Sequence, residues 1–176
     1  MKLQVLPIGN IDGPLLSKAA PVIAGSFGLS CEILPPLDPE FAFHGERQQY
    51  HSSEILARMQ AMVTPQSWRV LGVGAVDLYI PILTFVFGEA QMAGPCAVVS
   101  LHRLRQEFYG LAADANLLEQ RLVKEGVHEL GHTVNLAHCA DYKCVMAPSH
   151  AVEWIDLKET TMCSSCHSRI FEGAER

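Results

Sequence analysis

An α/β fold is predicted for this chain of 176 residues by three observations. Strand-like and helix-like stretches alternate through the first half, as a sheet joined by crossover helices requires. Trp68–Val76 is a near-continuous apolar run, WRVLGVGAV, which suits a central strand buried on both faces. A long segment opening near Asp114 carries Leu118, Leu122, Leu130 and Val134 on one helical face.

The elements follow in order. Leu3–Ile8 reads as the first strand, and Asn10–Gly13 as a turn. Pro14 suits the first turn of a helix over Leu15–Phe27, because the N–H it lacks would be unpaired there anyway. Pro21 falls in the middle of that helix and Gly28 ends it. Cys31–Leu34 is a short strand stopped by Pro35-Pro36, and Asp38–Gln49 is a connection with one short strand at Phe41–Phe43. Ser52 or Ser53 is expected to cap a helix reaching Met62, with Ile55, Leu56, Met59 and Met62 on its apolar side. Leu83–Phe87 and Cys96–Leu101 are further strands, separated by the turn-rich Gly88–Pro95. The long helix starts at Asp114 or Asn116, and Asn116 with Glu119 fits a capping box. Gly126 and Gly131 within it each cost about 1 kcal/mol against Ala, which suggests a close approach by a neighbour. From Asn135 onward the pattern is loop, with one short helix near Ala151–Leu157. No linker interrupts the chain. One domain is expected over 1–176, with a sheet-and-helix part at 1–134 and a loop-rich part at 135–176.

Apolar residues make up 49 % of the chain, enough for a core without staples. Thirteen basic residues stand against 19 acidic ones, for a formal charge of −6, and no basic run occurs. That balance opposes a nucleic-acid surface. The N-terminal MKLQVLPIGNIDG lacks the features of a signal peptide, and the apolar segment Ile80–Phe87 is too short to span a bilayer. The chain is therefore expected to be a cytoplasmic monomer with no membrane or nucleic-acid partner. Six cysteines in that compartment point to metal ligands and core thiols before disulfides.

The chemistry concentrates in HELGHTVNLAH, residues 128–138. On a helix His128 and His132 lie one turn apart on one face and can reach a single ion. Asn135 tolerates the left-handed conformation and can turn the chain so that His138 returns as third ligand. Three protein ligands with an open fourth position are the pattern of a catalytic zinc. Glu129, beside them, is placed to act as general base on water, and peptide-bond hydrolysis fits this set best. Two alternatives remain at this stage. One is a zinc-stabilised binding or regulatory module whose histidine site is occupied but inactive. The other is a zinc-ribbon-like nucleic-acid binder, which the acidic balance opposes.

Cys139 and Cys144, followed by Cys163 and Cys166, read as a structural four-cysteine zinc site, giving two Zn²⁺ per chain. Disulfides among the four are the alternative. Cys31 and Cys96 lie in apolar strands and read as core thiols. His44, His51, His102, His150 and His167 read as surface or hydrogen-bonded residues, with His167, next to Cys166, kept as a substitute ligand.

The run HELGHTVNLAHC, then Cys144-Val145-Met146, then Cys163-Ser164-Ser165-Cys166, resembles the archaemetzincin family of metzincin-clan zinc metalloproteases. SLHRLRQEFYG, ahead of the active-site helix, is similar to that family too. The resemblance implies a zincin-like fold: a mixed, mostly parallel twisted sheet, a backing helix, an active-site helix and a zinc-stabilised C-terminal loop region. It also implies one antiparallel edge strand bordering the cleft, assigned to Leu83–Glu89, which could pair with an extended peptide substrate. Met146, a core residue on its own reading, matches the family's Met-turn beneath the imidazoles. The resemblance further implies that Cys139, Cys144, Cys163 and Cys166 bind a second zinc. Two positions depart from the family's pattern. Asn135 stands where Gly is usual, and Pro148 stands where some other metzincins place a Tyr. Tyr109 and Tyr142 are then the candidates for assisting the metal.

Overall fold

Period-two alternation sends Leu3, Val5, Leu71, Val73, Ala97 and Val99 to one face of a sheet. Leu6, Ile8, Val70, Cys96 and Val98 go to the other. The computed structural model describes residues 1–172, and side chains as far as residue 170. Along the chain run β1 (Lys2–Ile8), α1 (Gly13–Gly25), β2 (Cys31–Ile33), β3 (Phe43–His44), β4 (Gln49–His51), α2 (Ser52–Gln60), β5 (Ser67–Gly74), β6 (Leu78–Tyr79), β7 (Gly88–Ala90), β8 (Cys96–Ser100), α3 (Ala115–Thr133), α4 (Val152–Leu157) and α5 (Ser164–Glu172).

The main sheet has the order β2-β1-β5-β8-β7. Its first four strands are parallel, and β7 runs antiparallel to β8 at the edge. The mixed α/β class and the antiparallel edge agree with the sequence reading. Helices α1 and α3 cover one face, bringing Ile23, Leu122, Val127 and Leu130 into its core. Helix α2 covers the other with Ile55, Leu56 and Met59. A β-carbon on Gly126 would lie 2.7 Å from Ile23 Cδ1, so the bare glycine lets α3 press against α1. Helix α1 runs through Pro21, which sits on its exposed side. Cys96 is wholly buried, whereas Cys31 is only half-buried. Among the described residues no helix is long and apolar enough to cross a membrane.

Several local expectations need correction. The edge strand is Gly88–Ala90, not Leu83–Glu89. The carbonyls of Leu83 and Thr84 are occupied by side chains: Arg47 Nη2 donates to both, and Gln49 Nε2 to Thr84. Those carbonyls are not available to a ladder, and 83–87 becomes a pinned loop held by Val86 N–H to Leu78 O. The strand expected at Phe41–Phe43 is a 3₁₀ turn at Glu40–Ala42 followed by β3. Neither Ser52 nor Ser53 caps α2; both hydroxyls bond the Glu89 carboxylate, a charged acceptor stronger than a neutral one. Asp114, not Asn116, caps α3, with Oδ1 accepting from Leu117 N–H at 2.9 Å. The C-terminal part also holds a second helix, α5, whose packed positions include Cys166 and Ile170 and so lack an obvious apolar stripe.

Candidate metal centre and cleft

Helix α3 places His128 and His132 one turn apart, and their rings meet edge-on with centroids 4.7 Å apart. The helix then stops at Thr133, and Asn135 takes φ +67°, the left-handed turn expected of it. Leu136 N–H bonds back to Gly131 O, and the turn carries the chain round to His138. The His138 ring lies 5.3 Å from that of His128 and 5.0 Å from that of His132, centroid to centroid. One ring nitrogen from each of the three residues lies within 4.8 Å of the others.

The outer nitrogens fix the inner ones. His128 Nδ1 donates to Val145 O at 2.8 Å, and His132 Nδ1 to Leu136 O at 2.7 Å. Each proton then sits on Nδ1, which leaves the Nε2 lone pairs of His128 and His132 facing each other at 3.1 Å. Two lone pairs at that distance repel unless a cation lies between them. The separation is close to the roughly 3.3 Å edge of a tetrahedron with Zn–N bonds of about 2.0–2.1 Å. Burial pushes all three imidazoles below their ordinary pKa, furthest at His128, where Lys158 and His132 add to it. Neutral imidazoles are the metal-binding form. The residues fit a zinc ion.

Glu129 is buried and rests on the edge strand: a β-carbon on Gly88 would come 2.7 Å from its Cγ and Oε1. Burial pushes its carboxyl well above the ordinary value, and the carboxylates of Glu125 and Glu89 push the same way against Lys158. Met146, fully buried, lies under Gly131 of α3, where any β-carbon would collide with its sulfur. Met146, expected from the resemblance beneath the imidazoles, thus packs against α3 at Gly131, next to His132.

These groups line a cleft of about 470 Å³. Phe85, Phe87, Gly88, Pro148, Ser149 and His150 line it together with His128, Glu129, His132 and His138. Neither Tyr109 nor Tyr142 lines it. Tyr109 Oη donates to Arg103 O, and Tyr142 is exposed elsewhere. Sequence reasoning missed Glu125, Lys158 and Ser149; His150, read as a surface residue, is exposed and also lines the cleft. Glu125 could have been found from its place one turn before His128; Lys158 stands alone in a loop and gave no signal.

The four late cysteines form a second cluster, their sulfurs all within 4.8 Å of one another. Cys139 and Cys163 sulfurs stand 3.8 Å apart, too far for a disulfide of about 2.05 Å. That spacing fits the roughly 3.8 Å edge of a tetrahedron with Zn–S bonds of about 2.3 Å. The Cys166 N–H, at the start of α5, lowers the Cys163 thiol to about 7, whereas burial raises those of Cys144 and Cys166, so Cys163 is the member most readily present as the thiolate a metal binds. Cys163 N–H in turn donates to Cys144 Sγ at 3.3 Å. His167 belongs to neither cluster.

Comparison with known proteins gives a consistent result. Residues 39–172 match the model of Peptidase family M54. An archaemetzincin of Methanocaldococcus jannaschii is 38 % identical, over 97 % of this chain and 93 % of the relative. A zinc-dependent peptidase from Methanocorpusculum labreanum superposes with a TM-score of 0.88 at 26 % identity, over 96 % of this chain and 99 % of its own. An archaemetzincin from Archaeoglobus fulgidus, solved with malonate, gives 0.80 at 35 % identity, over 97 % of this chain and 100 % of its own.

Proposed function

The chain belongs to peptidase family M54, the family of the archaemetzincins, and from that premise we propose that it hydrolyses peptide bonds with Glu129 as general base at a zinc held by His128, His132 and His138. Membership makes it a metallopeptidase, a hydrolase that acts on peptides and uses zinc. The observation that carries the finer reading is the convergence of three neutral imidazoles, two of them locked by backbone carbonyls, beside a buried carboxylate at the floor of an open cleft.

When bound, zinc supplies Lewis acidity: it polarises a carbonyl and lowers the pKa of water from 15.7 to roughly 7. The chain's residues do the rest. Glu129 Oε1 accepts the proton of the attacking water and later delivers it to the leaving amine. Val145 O and Leu136 O keep His128 and His132 aimed inward. The β7 edge offers main-chain groups to an extended peptide, which supports peptides as the substrate class. We further propose a second, structural zinc at Cys139, Cys144, Cys163 and Cys166, and that residues 1–176 act as one cytoplasmic, monomeric unit.

The test is Glu129→Gln. The variant should keep its zinc, measured by elemental analysis, while peptide turnover falls at least about 100-fold, the low end for a general base. Turnover that survives in a metal-loaded variant would remove Glu129 from this role.

A further inference from the structure

On α3, Arg121, Lys124, Glu125 and His128 follow the i, i+3, i+4, i+7 spacing of one helical stripe. That stripe is bolted to α4 and the residue after it. Arg121 makes a two-pronged pair with Asp156, at 2.8 and 2.7 Å, and gives Nη1 to Leu104 O at 2.7 Å. Lys124 Nζ donates to the carbonyls of Ile155 and Asp156, at 3.1 Å each. At the next turn the ammonium of Lys158 reaches Glu125 Oε1 at 3.2 Å and stands 3.5 Å from His128 Nδ1. The ladder ends on the metal centre.

The last rung differs from the others in its burial. The Lys158 and Glu125 side chains are 0 % and 3 % exposed. Desolvation consumes most of the attraction in such a pair, and an apolar pair of equal volume packs as well or better. Packing alone therefore gives no reason for it, but its position does. Glu125 lines the cleft one turn ahead of His128 and Glu129. Lys158 begins the segment whose Glu159 N–H bonds Lys143 O and whose Thr161 O accepts from Val145 N–H. Val145 O is the acceptor that orients the His128 ring.

We propose that Lys158 is a positioning residue of the metal centre: by gripping Glu125 it fixes α3 against the Val145 segment, and so fixes where His128 Nε2 points. The inference rests on the reading of the three histidines as a metal site.

Two variants and cobalt(II) as the probe test it. Lys158→Met removes the ammonium; Lys158→Met with Glu125→Leu replaces the pair by apolar groups. Cobalt at the histidines shows weak visible bands, and cobalt at the cysteines shows sulfur charge-transfer bands, so the two sites are read separately. The single variant should lose about 10- to 100-fold in cobalt affinity at the histidines, with the cysteine site unchanged. The double variant should recover thermal stability while its histidine-site affinity stays low. A double variant that recovers affinity together with stability would overturn the proposal, leaving the pair a purely structural element. If the single variant does not fold, the double variant decides alone. Wild-type protein that binds no cobalt at the histidines would remove the metal-site reading itself, and this inference with it. Wild-type binding matched by both variants would remove only the inference.

Discussion

Two residues without side chains set how closely the histidine helix can be approached. A β-carbon on Gly131 would strike the sulfur of Met146, and one on Gly88 would strike Glu129. The sequence exposes the first: a glycine inside a helix costs about 1 kcal/mol, so something must come close. It does not say what comes close, because Met146 returns to the helix from a distant turn. Asn135 was more legible, since few residues other than glycine accept φ +67°. Gly88 gave no signal at all, because it sits among other turn-formers. The same β-carbon would lie 2.7 Å from the Val98 carbonyl of β8, which as backbone yields less, so Gly88→Ala should push the Glu129 carboxyl off its seat. A displacement near 1 Å is worth about 100-fold in turnover, so kcat should fall by that order while zinc content holds. Steady-state kinetics beside metal analysis checks this; an alanine variant with wild-type kcat would mean that Glu129 is not seated on β7.

At the scale of elements, the cleft wall between β6 and β7 is a loop because a polar cluster claims its backbone. Gln49 bonds both Thr84 O and the Asp77 carboxylate, and Arg103 grips Asp77 with two contacts of 2.8 Å. Long apolar strands such as β5 were readable from their patterns, whereas the two-residue strands β3 and β6 carry too few positions for a period to show. The loop was misread as a strand because its residues are apolar, and only the long-range partners Arg47 and Gln49 decide otherwise. Burial alone would raise the Asp77 carboxyl, but its hydrogen bonds to Arg103 and Gln49 and the nearby positive charge outweigh burial and hold it below the ordinary value. A depressed carboxyl stabilises the fold fully above its unfolded pKa of about 3.9, and that contribution is lost as pH falls through the lower folded value. Asp77→Asn should therefore cost about 1–3 kcal/mol at neutral pH. In urea unfolding the gap between wild type and variant should stay flat above about pH 5 and close below about pH 4. A gap that widens in acid would contradict this sign.

At the scale of the whole molecule, the histidine and cysteine clusters were legible as spacings, but their mechanical connection was not. Cys139 follows His138 directly, and its N–H bonds Met146 O at 2.9 Å. Cys144 precedes Val145, whose carbonyl orients His128 and whose N–H is held by Thr161 O, two residues before Cys163. The cysteine cluster thus closes the loop that delivers His138 and braces the carbonyl that aims His128. The links that matter, Val145 N–H to Thr161 O and the His128 ring to Val145 O, join residues 16 and 17 positions apart, which no spacing rule reveals. If both clusters hold zinc, the two ions are coupled through this loop. Cys163→Ser with Cys166→Ser should remove one zinc and weaken the other by about 10-fold or more, the usual effect of loosening the groups that orient a ligand. Ions that bind independently would behave differently: the variant would lose one zinc and hold the histidine-bound one with unchanged affinity in a chelator competition. The reverse experiment separates coupling from general unfolding. His132→Ala deletes a histidine ligand but leaves the 139–147 loop bonded as it is, so the cysteine-bound zinc should stay. The dependence should run from the cysteines to the histidines much more strongly in occupancy than the other way, because the 139–147 loop carries the carbonyl that aims His128 and follows directly on His138, whereas His132 bonds Leu136 O outside that loop.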